Sequence, residues 1–254
     1  MTSPDASPRS SRMDETLRHE QEFFDQLIEE RGEFNPFTDR GWNVLKSAFR
    51  KMAPGEFSGA LLDVGCGTGS SLKVYEGRFA SYTGLDLSPV SIARARQKHP
   101  EHEWQAGNAL QLPFSDARFD AVVFSSVLHH LPAMEPALLE ARRVLKEGGF
   151  VFAFDPNVFH PAMALLRHPR SPFYVAEGVS PDEKPLRPGQ LREVFQAAGF
   201  RDIRQRCLSG IAYEKVAPAR FNAGLAAFNV FDRIWAGLGI GRWLGTFVLT
   251  CAVK

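Results

Sequence analysis

The clearest chemistry in the chain lies in Leu61-Leu62-Asp63-Val64-Gly65-Cys66-Gly67-Thr68-Gly69-Ser70. An apolar run leads into three glycines at alternate positions. There the backbone turns tightly, and a ligand approaches main-chain N–H groups without meeting a Cβ. The spacing is G-x-G-x-G, and Ser70 stands where a dinucleotide fingerprint has its third glycine. Asp63, ahead of the first glycine, repels a pyrophosphate and attracts an ammonium group, so the loop suits a ligand with a cationic amino-acid end. Asp86, in Gly84-Leu85-Asp86-Leu87, is an acid able to accept both hydroxyls of a ribose. Gly107-Asn108-Ala109 offers a side-chain oxygen beside a backbone N–H, a pair that reads the amino edge of adenine. Amino acid, ribose and adenine partners thus follow one another along the chain.

A second group is Phe124-Ser125-Ser126-Val127-Leu128-His129-His130-Leu131. Histidine exchanges a proton near neutral pH, so His129, and after it His130, are the candidate bases. Beyond Asp155-Pro156-Asn157, the stretch from Val158 to Arg187 is proline-rich and poor in helix signals, a length of loop that usually carries function. Acceptor contacts are expected from Asn157, His160, Tyr174, Glu177 and Glu183 there, and from Phe37 and Tyr213 outside it.

These groups need elements to hold them. Short apolar runs at Ala60–Val64, Tyr82–Asp86, Glu103–Ala106, Phe119–Ser125 and Phe150–Asp155 alternate with helical stretches, the pattern of a parallel sheet covered by helices. Ser88-Pro89 is a helix start, with a capping serine and proline at the first helical position. Pro136 to Lys146 reads as a helix ended by Gly148 and Gly149, and a further helix begins at Pro188. Strands over Arg201–Leu208 and Gly245–Val253 complete seven. Ahead of the sheet, Asp14 to Arg31 places Leu17, Phe24, Leu27 and Ile28 on one helical face, and Thr38 to Met52 does the same for Trp42, Leu45 and Phe49. These two helices serve either as a cap over the site or as packing at the sheet's edge.

The strand-end residues resemble those of the class I S-adenosylmethionine-dependent methyltransferases, over roughly residues 40–208 and the last strand. The resemblance implies a Rossmann-like α/β fold, a seven-stranded mostly parallel sheet with helices on both faces and an antiparallel last strand. It also implies S-adenosyl-L-methionine as cofactor and S-adenosyl-L-homocysteine as product. In that family the Asp63–Gly69 loop holds the methionine part (Asp63, Gly65, Cys66, Gly67, Gly69), and the acid at Asp86, with Leu87, holds the ribose. The position of Asn108, with Ala109, contacts the adenine, and Ser125 completes the cofactor set. The family more often has Asp where Asn108 stands; Asn keeps the acceptor oxygen. Arg143 to Gly149 resembles the family's segment before the fifth strand. Methyltransferases of nucleic-acid amines have an Asn/Asp-Pro-Pro-aromatic element at the fourth strand end, which Ser125–Leu128 lacks. Metal-dependent catechol-type enzymes have an acid there; two oxygen ligands at Asp155 and Asn157 are a poor substitute, so no metal is expected. The implied reaction is in-line displacement of a methyl group by an O, N or C nucleophile of a small, secondary-metabolite or lipid-like acceptor. A non-catalytic binding sensor or partner subunit is the alternative, and a dehydrogenase a weaker one.

Composition sets the outer limits. The 254 residues suffice for one large α/β domain, and 30 basic against 29 acidic side chains give a net charge of +1, so no global field favours nucleic acid. The charge is graded: −3 over residues 1–60, −1 over 61–200 and +5 over 201–254. Cys66, Cys207 and Cys251 form no C-x-x-C pair and fit a reducing, cytoplasmic setting. Residues 1–13 are expected to be a disordered tail, 14–58 a helical cap and 59–254 the catalytic domain, with an acceptor loop at 156–187 and an aromatic insertion at 213–244. That insertion, with Arg220, Arg233 and Arg242 among its aromatics, is either a packed helix pair, compatible with a monomer or homodimer, or an amphipathic surface for peripheral lipid contact.

Overall fold

The computed structural model describes residues 8–33, 35–55, 58–167, 170–171, 180, 183, 186–214 and 222–254. The first helix, α1, spans Pro8–Arg31, so the helix begins inside the stretch expected to be tail. Nothing between Pro8 and Asp14 breaks a helix, and proline is tolerated at its first position. The second, α2 (Asp39–Met52), starts at Thr38, whose hydroxyl accepts the Gly41 N–H.

The sheet is built from β1 (Ala60–Val64), β2 (Ser81–Asp86), β3 (Glu103–Ala106), β4 (Phe119–Ser125), β5 (Leu145–Pro156), β6 (Arg201–Leu208) and β7 (Phe247–Val253). Their order is β3-β2-β1-β4-β5-β7-β6, and β7 runs antiparallel to both neighbours. Between the strands lie α3 (Leu72–Tyr75), α4 (Pro89–Lys98), α5 (Met134–Val144), α6 (Pro161–Arg167) and α7 (Pro188–Ala197). Helices α8 (Asn222–Gly237) and α9 (Gly241–Leu244) precede the last strand. Ser88 caps α4 by accepting the Ser91 N–H, as the Ser-Pro pair predicts. The strand expected at Phe150 starts at Leu145 instead. Helix α5 therefore ends at Val144, short of the expected Lys146.

Side-chain alternation divides the interior into two cores. Leu61 and Val123 face one side of the sheet with Leu45, Phe49, Tyr75 and Phe152; Leu62 and Val122 face the other with Leu138, Leu191 and Phe195. The frontal helices thus do different jobs. Phe49 and Leu45 of α2 are fully buried in the first core, with the Phe49 ring 5.0 Å from that of Tyr75 and 5.1 Å from that of Phe152. Helix α1 lies over the strand ends and is tied to α4, where Asp25 Oδ1 accepts the Ser88 hydroxyl at 2.5 Å.

Candidate active site

Three consecutive strand ends, those of β1, β2 and β3, form one side of a pocket whose roof is α1. The glycine loop is shaped by its backbone. Gly65 has φ +76°, and a Cβ there would lie 2.6 Å from Val127 Cβ. Gly67 has φ +52°, and a Cβ added to it would meet no atom within 4 Å, so it would occupy the open cradle itself. Leu85 O accepts N–H bonds from Gly65 and Cys66 at 2.8 and 3.2 Å, which holds the loop against the end of β2. Asp86 Oδ2 accepts the Gly67 N–H at 2.8 Å and Oδ1 the Ser88 N–H at 2.9 Å. A carboxylate has about four lone-pair sites, so both oxygens keep capacity for a diol. Burial raises the Asp86 carboxyl above its usual 3.8, against the lowering effect of those two N–H bonds.

Gly65, Cys66, Gly67, Asp86, Leu87, Asn108, Ala109 and Ser125 all line the pocket. Asp63 and Gly69 do not. Asp63 was expected to meet an ammonium group, but it is held beneath the loop, its Oδ2 accepting the Ser71 hydroxyl at 2.6 Å and the Tyr82 hydroxyl at 2.8 Å. It acts on the wall through Ser71 and Ser125, which do line it. Burial, opposed by the hydroxyls of Ser125, Ser71 and Tyr82, raises the Asp63 carboxyl to about 6. Asn108 Oδ1 accepts the Leu110 N–H at 2.8 Å, which fixes its side chain at the end of β3.

The two histidines sit on a 3-10 turn, Leu128–His130, and both line the pocket. His129 Nδ1 is 2.8 Å from Asp155 Oδ1, and the same oxygen accepts the His129 backbone N–H at 3.2 Å. The pair is buried, and burial lifts the Asp155 carboxyl to about 7 despite the lowering effects of the His129 N–H and of His130. Asp155 is an acid ending the strand next to β4, and that placement is the signal in the sequence for its contact with His129. His130 Nδ1 is 3.0 Å from Ser180 Oγ and 3.1 Å from Glu20 Oε2.

Of the expected acceptor residues, Phe37, Tyr213 and Glu183 reach the pocket. Phe37 and Tyr213 form an isolated antiparallel bridge, and the Phe37 ring lies 4.9 Å from Trp42 and 5.6 Å from Phe247. Asn157 and His160 do not line it. Asn157 is fully buried and donates to Gly245 O at 2.8 Å, joining the end of β5 to the start of β7. His160 is also fully buried, 3.7 Å from Asp232 of α8 and ringed by Phe228, Phe231 and Trp235. Burial lowers it from 6.5 to about 4, so it anchors the insertion as a neutral imidazole. Tyr174 and Glu177 lie outside the described residues. Missed residues include Glu20, Phe24 and Trp42. Glu20 had a signal, being the acid that interrupts the helical stripe of Leu17, Phe24, Leu27 and Ile28.

Comparison with known proteins places this geometry. A family model for the methyltransferase domain matches residues 62–153. The 2-phytyl-1,4-naphtoquinone methyltransferase of Synechocystis is 31% identical over 181 residues, covering 66% of this chain and 73% of that protein. The chain belongs to the class I S-adenosylmethionine-dependent methyltransferases. Among other methyltransferases, the demethylmenaquinone enzyme of Chlorobaculum parvum is 35% identical over 133 residues, or 50% of this chain. The chain spans about half the length of that relative, 54%. A SAM-dependent methyltransferase structure from Thermotoga maritima matches with a TM-score of 0.60 at 17% identity, over 94% of this chain and 99% of that one, and shows the fold.

The methyltransferase pocket fits the family's cofactor. The cradle at Gly67 is open where a side chain would fill it, and a carboxylate and an amide stand at the ends of β2 and β3. The residues that would hold S-adenosylmethionine are the Gly65–Ser70 loop, Asp86 and Asn108.

Proposed function

We propose that the protein transfers a methyl group from S-adenosylmethionine to an O, N or C nucleophile on a small acceptor with an apolar, lipid-like body. The observation that carries this reading is the continuity of the pocket. The cofactor edge and His129 open onto a wall made by Leu17, Phe24 and Ile28 of α1 with Phe37, Trp42 and Phe247. Relatives whose names carry quinone or fatty-acid acceptors support the same class.

Bound S-adenosylmethionine supplies an electrophilic methyl group on a sulfonium. This chain's residues supply placement and proton handling. Alignment of reacting atoms about 3–3.5 Å apart provides roughly 7–11 kcal/mol of a barrier, whereas a general base adds ~10²–10⁴-fold. The roof from α1 excludes water, and Asp155 presents His129 with a defined ring orientation for taking the acceptor's proton. Methylation assays in which S-adenosylhomocysteine release requires an isoprenoid-tailed quinol or a fatty acid, and not a water-soluble analogue, test the reading. Release that no acceptor raises above background would instead support a cofactor-binding sensor or partner subunit.

The insertion fits an acceptor delivered from a lipid surface. Val230 (53%), Ile234 (58%), Leu238 (68%) and Trp243 (74%) stay exposed. Arg233 and Arg242 lie among them, suited to anionic headgroups. Among the described residues no helix is long and apolar enough to cross a membrane. Flotation with anionic vesicles should retain the protein, and Ile234→Glu with Leu238→Glu should release it; failure of the parent chain to float would dispose of lipid contact.

A further inference from the structure

The apolar stripe that α1 turns toward the pocket contains one acid. Leu17, Glu20, Phe24 and Ile28 follow one another at helical spacing, and all four line the cavity. A carboxylate in such a stripe is costly unless its oxygens are hydrogen-bonded. Ser180 donates its hydroxyl to Glu20 Oε1 at 2.5 Å, whereas Oε2 is buried and accepts no hydrogen bond. His130 Nδ1 lies 3.1 Å from Oε2, but its proton is directed to Ser180 Oγ, 3.0 Å away (an assignment made from these partners). Glu20 itself is 3% exposed.

We infer that Glu20 selects the acceptor, its Oε2 taking a hydrogen bond from a hydroxyl that the acceptor carries apart from its nucleophile. The inference rests on the acceptor class proposed above and narrows it, from lipid-like bodies in general to those bearing such a hydroxyl. Placement favours it. The His130 ring lies 4.0 Å from that of His129, so Glu20 stands one imidazole away from the proposed base. A single small acceptor therefore touches both.

The surrounding wall distinguishes a hydroxyl from other polar groups. A hydroxyl brings one proton, the number that Oε2 lacks. An ammonium brings three, and Leu17, Phe24 and Ile28 beside Glu20 accept none of them. A free carboxylate headgroup, as on a fatty acid, meets Glu20 and Glu183 with no lysine or arginine among the described lining residues to offset them. An acceptor without the hydroxyl leaves Oε2 buried and unpaired. Sites built around such a partner discriminate strongly against the analogue that lacks it.

The test is calorimetric binding to the full chain loaded with S-adenosylhomocysteine. The probes are an isoprenoid-tailed naphthalenediol, kept reduced, and its analogues with one hydroxyl replaced by hydrogen or by methoxy. The parent chain should bind the diol roughly ten-fold or more tighter than either analogue. Glu20→Gln keeps an oxygen for Ser180 and puts an amide NH₂ where Oε2 stood, which donates to a methoxy oxygen as well as to a hydroxyl. The diol's advantage over the methoxy analogue should then fall to within about two-fold. Unchanged S-adenosylhomocysteine affinity is the control for folding. If Glu20 only clamps α1 to the strand ends, the variant weakens all three probes equally and keeps the ratio, which overturns the inference. A parent chain that binds the three probes alike, or none of them, also overturns it. Methyl transfer to diol and analogues alike would in that case leave the methyltransferase reading standing. The expected binding pattern without transfer to the diol does the reverse.

Discussion

At the scale of single residues, the site depends on a carboxylate that never reaches the pocket. Asp155 holds His129 at 2.8 Å, and its carboxyl sits at about 7, so the ionised form that orients the imidazole is lost as the pH drops below neutrality. Activity should fall on the acid side of about pH 7. Asp155→Asn should lower kcat by ~10²-fold or more, within the range for removing general-base help, and leave the KM for S-adenosylmethionine within a few-fold. The midpoint of the acid limb of the pH–rate profile should move with it, whereas a purely structural Asp155 would leave that midpoint in place. Gly67 makes the complementary case. Its φ of +52° and open Cβ direction mean that Gly67→Ala costs about 1–2 kcal/mol of backbone strain and fills the cradle. Calorimetry should show S-adenosylmethionine affinity reduced at least ten-fold while the thermal transition shifts only modestly.

At the scale of elements, α1 and α2 separate into roof and core. Phe49→Ala should cost ~3–5 kcal/mol in urea unfolding, as expected of a large ring removed from a close-packed interior. Phe24→Ala should change stability little and raise the KM for an apolar acceptor several-fold, because Phe24 faces the pocket from α1. Equal losses of stability in both variants would contradict the division. The same contrast explains what the chain discloses before folding. The runs at β1, β3, β4 and β6 have the observed bounds, because short runs between turn and helix signals are read locally along the chain. The cofactor edge was legible for the same reason: its residues follow one another at strand ends. Asn157 and His160 were misplaced because their partners are remote in sequence. Gly245 and Asp232 are brought to them only by the closing of β7 and α8, and no local pattern reports that. Asp63 lies outside the lining residues, its Oδ2 taken by the hydroxyls of Ser71 and of Tyr82 on the neighbouring strand, a pairing that no local pattern reports.

Across the whole molecule, buried acids set a pH dependence of stability that opposes that of activity. Burial raises Asp63 from 3.8 to about 6 and Asp155 to about 7, so the fold keeps protons that the unfolded chain has released. Their contribution is complete below about pH 4 and is lost as the pH rises through 6 and 7. His160, lowered from 6.5 to about 4, has the opposite sign and loses its contribution as the pH falls through that window. The difference between variant and parent therefore isolates each group. The melting temperature of Asp155→Asn relative to the parent should rise steadily from pH 5 to pH 8, and a flat difference would contradict the buried acid. The graded charge of the sequence fits the same whole: an acidic front roofs the pocket, and a basic, aromatic end carries the exposed α8–α9 face.

Methyl transfer from the strand-end pocket to an apolar acceptor is open to direct measurement by single-turnover transfer from methyl-labelled S-adenosylmethionine to an isoprenoid-tailed naphthoquinol in mixed micelles. The expected result is label in the extracted lipid with an equal amount of S-adenosylhomocysteine, strongly reduced in Asp155→Asn. Tight binding of S-adenosylmethionine with no label in that acceptor or in a fatty acid would contradict it.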